Sequence, residues 1–370
     1  MSTTSNSRSS RSFSLQNVLI VGLPAVLIVL AVFGWVYNQV GQTPPPVDFL
    51  ASVKYNLRTP TKLAEGLVDA DGDLVADRVT DAAQQLDPDT IVFEVLGSNL
   101  EREQKQWADF VQHCELVTGK KVQVALRPDS TGVGPGKALP PELQQARDLR
   151  EGKIHLVSLN TGAVSLGVNE GGAIPFCVMA GDDGKFGYKM EIIVPAKSKA
   201  QKPGDLKGSQ RVLFTTIYSH SGFKAPLSIL WDEFDLRPER DYTPVFIATQ
   251  EKAIEEIAAG RADAAPVASD FLQRTVSREG FPKDAIRSIY QSITFPPACF
   301  AYGHRLQPEL AAKVKQAFLD FEWKDSSLEK AYAPAGQSKF VSVAYKTDWA
   351  TVRELEASIA GLLSANPQMP

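Results

Sequence analysis

Two apolar patterns alternate along most of this chain. Ile91-Val92-Phe93-Glu94-Val95-Leu96 is a short continuous apolar run, which predicts a buried strand. Gly97-Ser98-Asn99 supplies a turn. Apolar residues then recur at helical spacing over 100–118, through Trp107, Phe110, Val111 and Leu116, and Gly119 is a natural stop. Further on, 122–126 predicts a strand, 140–150 a helix and 154–159 another strand. The pattern restarts near Lys197, with a strand at 211–215, a loop at 216–222 and a helix at 223–234. A strand at 244–248 follows, then a helix at 250–259 that Thr249 caps and Gly260 ends. A short strand at 264–267 leads to a helix opening at Ser269-Asp270. Strand–helix alternation at this spacing predicts an α/β fold with largely parallel, helix-covered sheets, here in two modules. At the C-terminal end Trp349, Val352, Leu355, Ile359 and Leu362 lie at helical spacing, which predicts a helix packed on one lobe or offered to a partner.

The N-terminal pattern is different. No charge occurs between Arg11 and Asp48, and 18–37 is almost wholly apolar. A bilayer core needs about 20 such residues in a helix. Trp35 and Tyr37 suit the interface, and Arg8 and Arg11 precede the segment, so the positive-inside rule sends the rest of the chain outward. The run is long for a signal peptide and no small-x-small cleavage site follows. An uncleaved inner-membrane anchor is therefore favoured over a cleaved signal. Either one makes the remainder extracytoplasmic, that is periplasmic. The organisation expected is a cytoplasmic segment at 1–17, the anchor at 18–37, a linker at 38–90, a binding domain at 91–345 and a tail at 346–370. The prolines at 44–46 stiffen the start of that linker.

Composition excludes several roles. The net charge is −4 with no concentrated basic face, which argues against nucleic-acid binding. Cys114, Cys177 and Cys299 form no C-x-x-C pair, so zinc and thioredoxin chemistry have no signal. An oxidising compartment would allow a Cys177–Cys299 disulfide, with the separation left open. Asp69, Asp71, Asp73 and Asp77 stand at loop spacing around Gly72, a pattern that can converge oxygens on Ca²⁺. It is similar to the calcium loops of dockerin and thrombospondin type 3 repeats. It departs from an EF-hand in that the Gly holds position 4 and Thr80 holds position 12. A solvated acidic turn is the alternative.

Ser219-His220-Ser221-Gly222 is the most informative local feature. Hydroxyls, an imidazole and a Gly at the start of a helix suit an oxyanion, because the first N–H groups of a helix lack internal partners. The plainer reading is that a Ser merely caps the helix. Catalytic motifs are missing. No G-x-S-x-G elbow, H-E-x-x-H or Walker lysine occurs, and His113, His155, His220 and His304 are scattered.

The order of segments resembles the phosphate/phosphite/phosphonate-binding proteins of ABC importers. The resemblance runs over roughly 91–323. It is carried by Glu151-Gly152-Lys153-Ile154-His155-Leu156-Val157, by Gly172-Ala173-Ile174-Pro175 and by Tyr188-Lys189-Met190-Glu191-Ile192. Asp205-Leu206-Lys207-Gly208 with Arg211-Val212-Leu213-Phe214 continues it, as do Ser219-His220-Ser221-Gly222 with Pro226 and Gly260-Arg261-Ala262-Asp263-Ala264-Ala265 with Asp270. It implies a type II periplasmic-binding-protein fold with a hinged cleft. Lobe 1 is expected at 91–194 and 295–345, and lobe 2 at 195–294. It also implies an oxyanion held by Ser219, His220 and Ser221, with Asp270 beside them and first-lobe contacts near Ser98.

The chain departs from the family pattern at three places. His220 stands for the usual Thr, a change able to alter the ligand or add charge. Thr249 and Gln250 stand for a Ser-His pair. Asn160 and Thr161 stand for a Gly-Pro loop. The function implied is capture of phosphonate, phosphite or phosphate for ABC permease subunits, with no cofactor required and no catalysis. The alternative is a membrane-anchored sensor or scaffold on the same fold. An enzyme on this fold lacks any nucleophile–base motif to support it.

Overall fold

A computed structural model describes residues 49–97, 99–127 and 139–365. The expected anchor at 18–37, the prolines at 44–46 and Ser98 lie outside the described residues. Among the described residues no helix is long and apolar enough to cross a membrane.

Strand and helix alternate over much of the chain, but the sheets are not largely parallel as expected: the strands that pass directly between lobes, without a crossover helix, pair antiparallel. Helix α1 (Phe49–Asn56) precedes β1 (Thr90–Val95), α2 (Leu100–Gln106), α3 (Ala108–Thr118), β2 (Lys121–Leu126) and α4 (Pro141–Glu151). Strand β3 (Leu156–Leu159), α5 (Val164–Gly171) and β4 (Ala173–Ala180) follow. The chain then enters a second lobe through β5 (Tyr188–Pro195), β6 (Val212–Phe214), α6 (Ala225–Asp232), β7 (Pro244–Phe246), α7 (Gln250–Ala258), β8 (Ala265–Ala268), α8 (Ser269–Val276) and β9 (Ile286–Phe295). It returns through β10 (Cys299–Gly303), α9 (Pro308–Leu319), α10 (Ser327–Tyr332), β11 (Lys339–Ser342), α11 (Tyr345–Asp348) and α12 (Ala350–Ala365).

Lobe 1 is built on a mixed sheet ordered β11-β4-β10-β3-β1-β2, with β1 parallel to both β2 and β3. Lobe 2 holds β8-β5-β9, all antiparallel to β5, and the parallel pair β6-β7, joined to β8 by a bridge between Val212 and Ala264. Two short crossings, 181–187 and 296–298, connect the lobes. Lobe 2 begins earlier than the boundary expected at 194/195, because β5 hydrogen-bonds only to β8 and β9. The helix expected over 100–118 breaks at Trp107. Its backbone (φ −93, ψ 1) turns the indole inward, edge-on to Phe93 at 5.0 Å.

Three further expectations are revised. Residues 49–90 are folded onto the domain instead of forming a linker. Phe49 stacks on Phe246 with ring centroids 5.1 Å apart, Ala64 N–H donates to the Asn169 carbonyl, and Leu86 bridges to Leu306. The cysteines form no disulfide. Cys177 pairs across the sheet with Phe300, and Cys299 with Val178, so the two thiols point to opposite faces and remain buried and free. The C-terminal helix packs on both lobes. Trp349 and Val352 join the lobe 1 core beneath Leu159 and Val164, while Leu355 and Leu363 pack against the core that holds Phe214 and Phe223.

Candidate binding site between the lobes

The carboxyl ends of β1, β3, β6, β7 and β8 all point toward the space between the lobes, where α/β sheets commonly bind ligands. That space is a cavity of about 480 Å³. Its lining includes Ser219, His220, Ser221, Thr249, Gln250, Asp270, Asn160 and Thr161. The fold thus gathers from four loops eight of the residues singled out in the sequence. Gly222 lies behind the wall. A Cβ there would sit 1.9 Å from Thr215 Oγ1, so this Gly closes the turn and makes no approach to a ligand.

The turn that carries the serines is π-helical over His220–Lys224, with Lys224 N–H donating to the Ser219 carbonyl at 3.0 Å. Ser219 Oγ accepts from Gly222 N–H at 3.0 Å, which is the capping role. Capping uses only the acceptor side of a hydroxyl and leaves its O–H free to donate. The same holds for Thr249, whose Oγ1 accepts from Lys252 N–H. Ser221 Oγ accepts from Gln250 Nε2 at 3.1 Å and also meets the Tyr188 hydroxyl. Asn160 Oδ1 accepts from Ala163 N–H, which leaves its amide NH₂ available. Capping and ligand binding are therefore compatible here, and the cavity wall presents a set of neutral donors. Gln250 Oε1 in turn accepts from Ala268 N–H at 2.6 Å, tying Ser221 to β8. Thr161 donates to the Pro296 carbonyl and so fixes one lobe crossing.

His220 is 1% exposed, and neither ring nitrogen has a partner among the described residues. Its ring meets Phe295 edge-on at 4.3 Å. Burial, with the Lys224 charge beside it, pushes its pKa down to about 3. The imidazole is neutral, so the substitution of His for Thr adds no charge. Asp270 goes the other way: burial raises its pKa, opposed by Arg274.

Other lining residues gave no signal in the sequence. Tyr188 is buried, and its hydroxyl reaches Thr161 and Ser221. Glu94 is held by Arg127 at 2.7 Å and Gln145 at 2.8 Å, and Glu142 accepts from Thr216 at 2.8 Å. Arg102 of lobe 1 meets Glu251 of lobe 2 at 3.2 Å, and Arg274 of lobe 2 lies over the Tyr332 ring of lobe 1 at 4.8 Å. These contacts draw the mouth of the cleft together. The lining also includes the apolar side chains of Trp107, Met179, Phe271 and Phe300. Such residues look like ordinary core in a sequence, because only the lobe arrangement turns them toward a cavity.

The acidic turn sits apart, near the surface. Carboxylate oxygens of Asp69, Asp71 and Asp77 lie within 4.8 Å of one another. Asp73 is not in that group; its Oδ1 accepts from Val75 N–H.

Comparison with known proteins agrees with this architecture. The binding-protein component of an ABC phosphonate transporter from Pseudomonas aeruginosa superimposes with a TM-score of 0.60 at 16% identity, covering 75% of this chain and 95% of that one. PhnD1 of Prochlorococcus marinus in complex with methylphosphonate gives a TM-score of 0.61 at 12% identity, over 74% of this chain and 99% of that one. A Xanthomonas citri protein bound to chloride gives 0.58 at 14% identity, over 74% and 100%. At such identities the likeness concerns the fold. The family described as "ABC transporter, phosphonate, periplasmic substrate-binding protein" matches residues 99–349, well over half of the chain. The chain therefore belongs to the periplasmic phosphonate-binding proteins of ABC transporters, a family that binds its substrate and does not transform it.

Proposed function

We propose that this chain captures an organophosphonate in the interlobe cavity. The oxyanion would be held by the O–H groups of Ser219, Ser221 and Thr249, by the Asn160 amide and by one N–H of neutral His220. Asp270, its pKa raised by burial, would accept or share the proton of a monoprotonated phosphonate. The organic substituent would rest on Trp107, Met179, Phe271 and Phe300. The observation that carries this reading is a cavity whose lining combines hydroxyl, amide and unpartnered imidazole groups with the apolar side chains of Trp107, Met179, Phe271 and Phe300. Inorganic phosphate and phosphite would leave those apolar side chains uncovered. The methylphosphonate held by PhnD1 supports the same class. Delivery to ABC permease subunits, and tethering to the inner membrane through the apolar segment at 18–37, complete the reading.

Calorimetric titration of the full chain with methylphosphonate, phenylphosphonate, phosphite, phosphate and sulfate tests it. Phosphonates should bind at least tenfold more tightly than phosphate or phosphite. Equal affinities, or a preference for sulfate, would overturn the assignment.

The family requires no cofactor. The convergence of Asp69, Asp71 and Asp77 supports a secondary reading, a structural Ca²⁺ in that turn. A melting temperature that rises with added Ca²⁺ and falls with chelator would support it, and one indifferent to both would end it.

A further inference from the structure

Lys224 closes the π-helical turn, and its side chain is 1% exposed. A lysine ammonium is almost never buried without partners. This one has two. Its Nζ donates to the Gly162 carbonyl of lobe 1 at 2.6 Å, and it pairs with the buried carboxylate of Glu356 on α12. The Tyr218 ring lies 5.5 Å from the same ammonium.

Gly162 belongs to the turn that presents Asn160 and Thr161. A Cβ at Gly162 would lie 2.3 Å from the Tyr218 carbonyl and 2.7 Å from the His220 amide nitrogen. The two ligand turns therefore touch backbone to backbone, and Lys224 pins them together at that contact. On the other shoulder, the Tyr218 hydroxyl accepts from Arg58 N–H at 3.0 Å and donates to the Asn56 carbonyl at 3.1 Å. Glu356, Asn56 and Arg58 all lie outside the family-matching segment 99–349.

We infer that Glu356 and Lys224 are positioning residues of the binding site, and that the C-terminal helix is a working part of it. Glu356 neutralises the Lys224 ammonium and so allows it to sit buried against Gly162. That contact sets the serine turn of lobe 2 in register with the asparagine turn of lobe 1. The donors of both turns then converge on one oxyanion. The inference rests on the organophosphonate reading for its effect on affinity, but the bracing itself does not need a ligand.

The test uses the full chain with Lys224→Met and Glu356→Leu together. Apolar replacement of both partners of a buried pair commonly preserves folding. Two readouts are taken. Methylphosphonate affinity should fall at least tenfold while the melting temperature stays close to that of the parent chain. Without ligand, amide hydrogen exchange at 219–224 and 160–163 should quicken several-fold, with the strands of both lobes unchanged. Affinity within twofold of the parent together with unchanged exchange would overturn the inference and leave the pair a mere fastening for α12. If the double variant does not fold, the parent chain decides: methylphosphonate should slow exchange at 219–224 and on α12 together, and protection confined to the turns would overturn the inference. A parent chain that binds no phosphonate would instead remove the functional reading. The bracing would then stand or fall on the ligand-free exchange comparison, or, with no folded double variant, fall if 219–224 exchanges faster than α12.

Discussion

The turns at 219–224 and 69–77 are both short, polar and built around a Gly, but they use their hydrogen bonds in opposite ways. In the acidic turn the carboxylates are already occupied by their own backbone. Asp69 accepts from Gly72, Asp73 and Leu74 N–H, Asp77 from Ala70 N–H, and Asp71 from Asp73 N–H. The turn is exposed and largely satisfies itself. In the serine turn Ser219 and Ser221 accept from neighbours, and among the described residues both buried His220 nitrogens lack partners. Unmet hydrogen-bonding capacity inside a protein costs about 1–3 kcal/mol per group, so a fold that keeps it has a use for it. The contrast separates a place that waits for something from one that folds around itself.

Four measurements sharpen or break this contrast. The largest effect is expected in acid. His220 has a folded pKa near 3 against an ordinary value of 6.5, so the unfolded chain takes up the proton first as pH falls. Stability is then complete well above pH 6.5 and declines as pH drops toward 3, by on the order of 5 kcal/mol at about 1.4 kcal/mol per unit. Urea unfolding at pH 4 and pH 7 should show a much smaller difference in His220→Thr. The residual slope would come from His155 and His304, whose pKa values burial also lowers. An unchanged slope would mean that His220 is not buried as described.

Next in size is Ser221→Ala, which removes a donor to an anionic ligand and should weaken phosphonate binding about 10- to 100-fold. Unaltered affinity by calorimetry would take the oxyanion away from this turn. A smaller change is expected at the cleft mouth. Arg102 is about a third exposed where it meets Glu251, and pairs of that kind contribute about 0.2–1 kcal/mol. Arg102→Ala should weaken binding no more than about fivefold and flatten its salt dependence, and a larger loss would place Arg102 on the ligand itself. The smallest effect belongs to the acidic turn: Asp77→Asn should leave phosphonate affinity unchanged and, without calcium, move the melting temperature by under about 3 °C. A change in affinity there would couple the two turns.

The strand–helix alternation was legible because each element buries its own periodic face. The strand expected at 91–96 is β1, and the C-terminal helical spacing is α12. The serine turn was legible because hydroxyls, His and Gly cluster in sequence. Helix α1 was not, since its eight residues bury few apolar side chains of their own and dock only because Phe214, Phe223 and Phe246 await Phe49. The break at Trp107 was hidden too, because the indole fits a helical period while its backbone does not. Tyr188, Glu142 and the Arg102–Glu251 pair come together only through lobe closure, across separations that no local pattern encodes.

The bare contact at Gly162 also has a mechanical meaning. A hinge cushioned by side chains changes its set whenever a methyl group is gained or lost nearby. Here the stop is one peptide bond resting on another, with no room even for a Cβ. Peptide dimensions do not drift with sequence, so the closest approach of the two turns at this point is limited by backbone alone, and a neighbouring side chain can change without moving that limit.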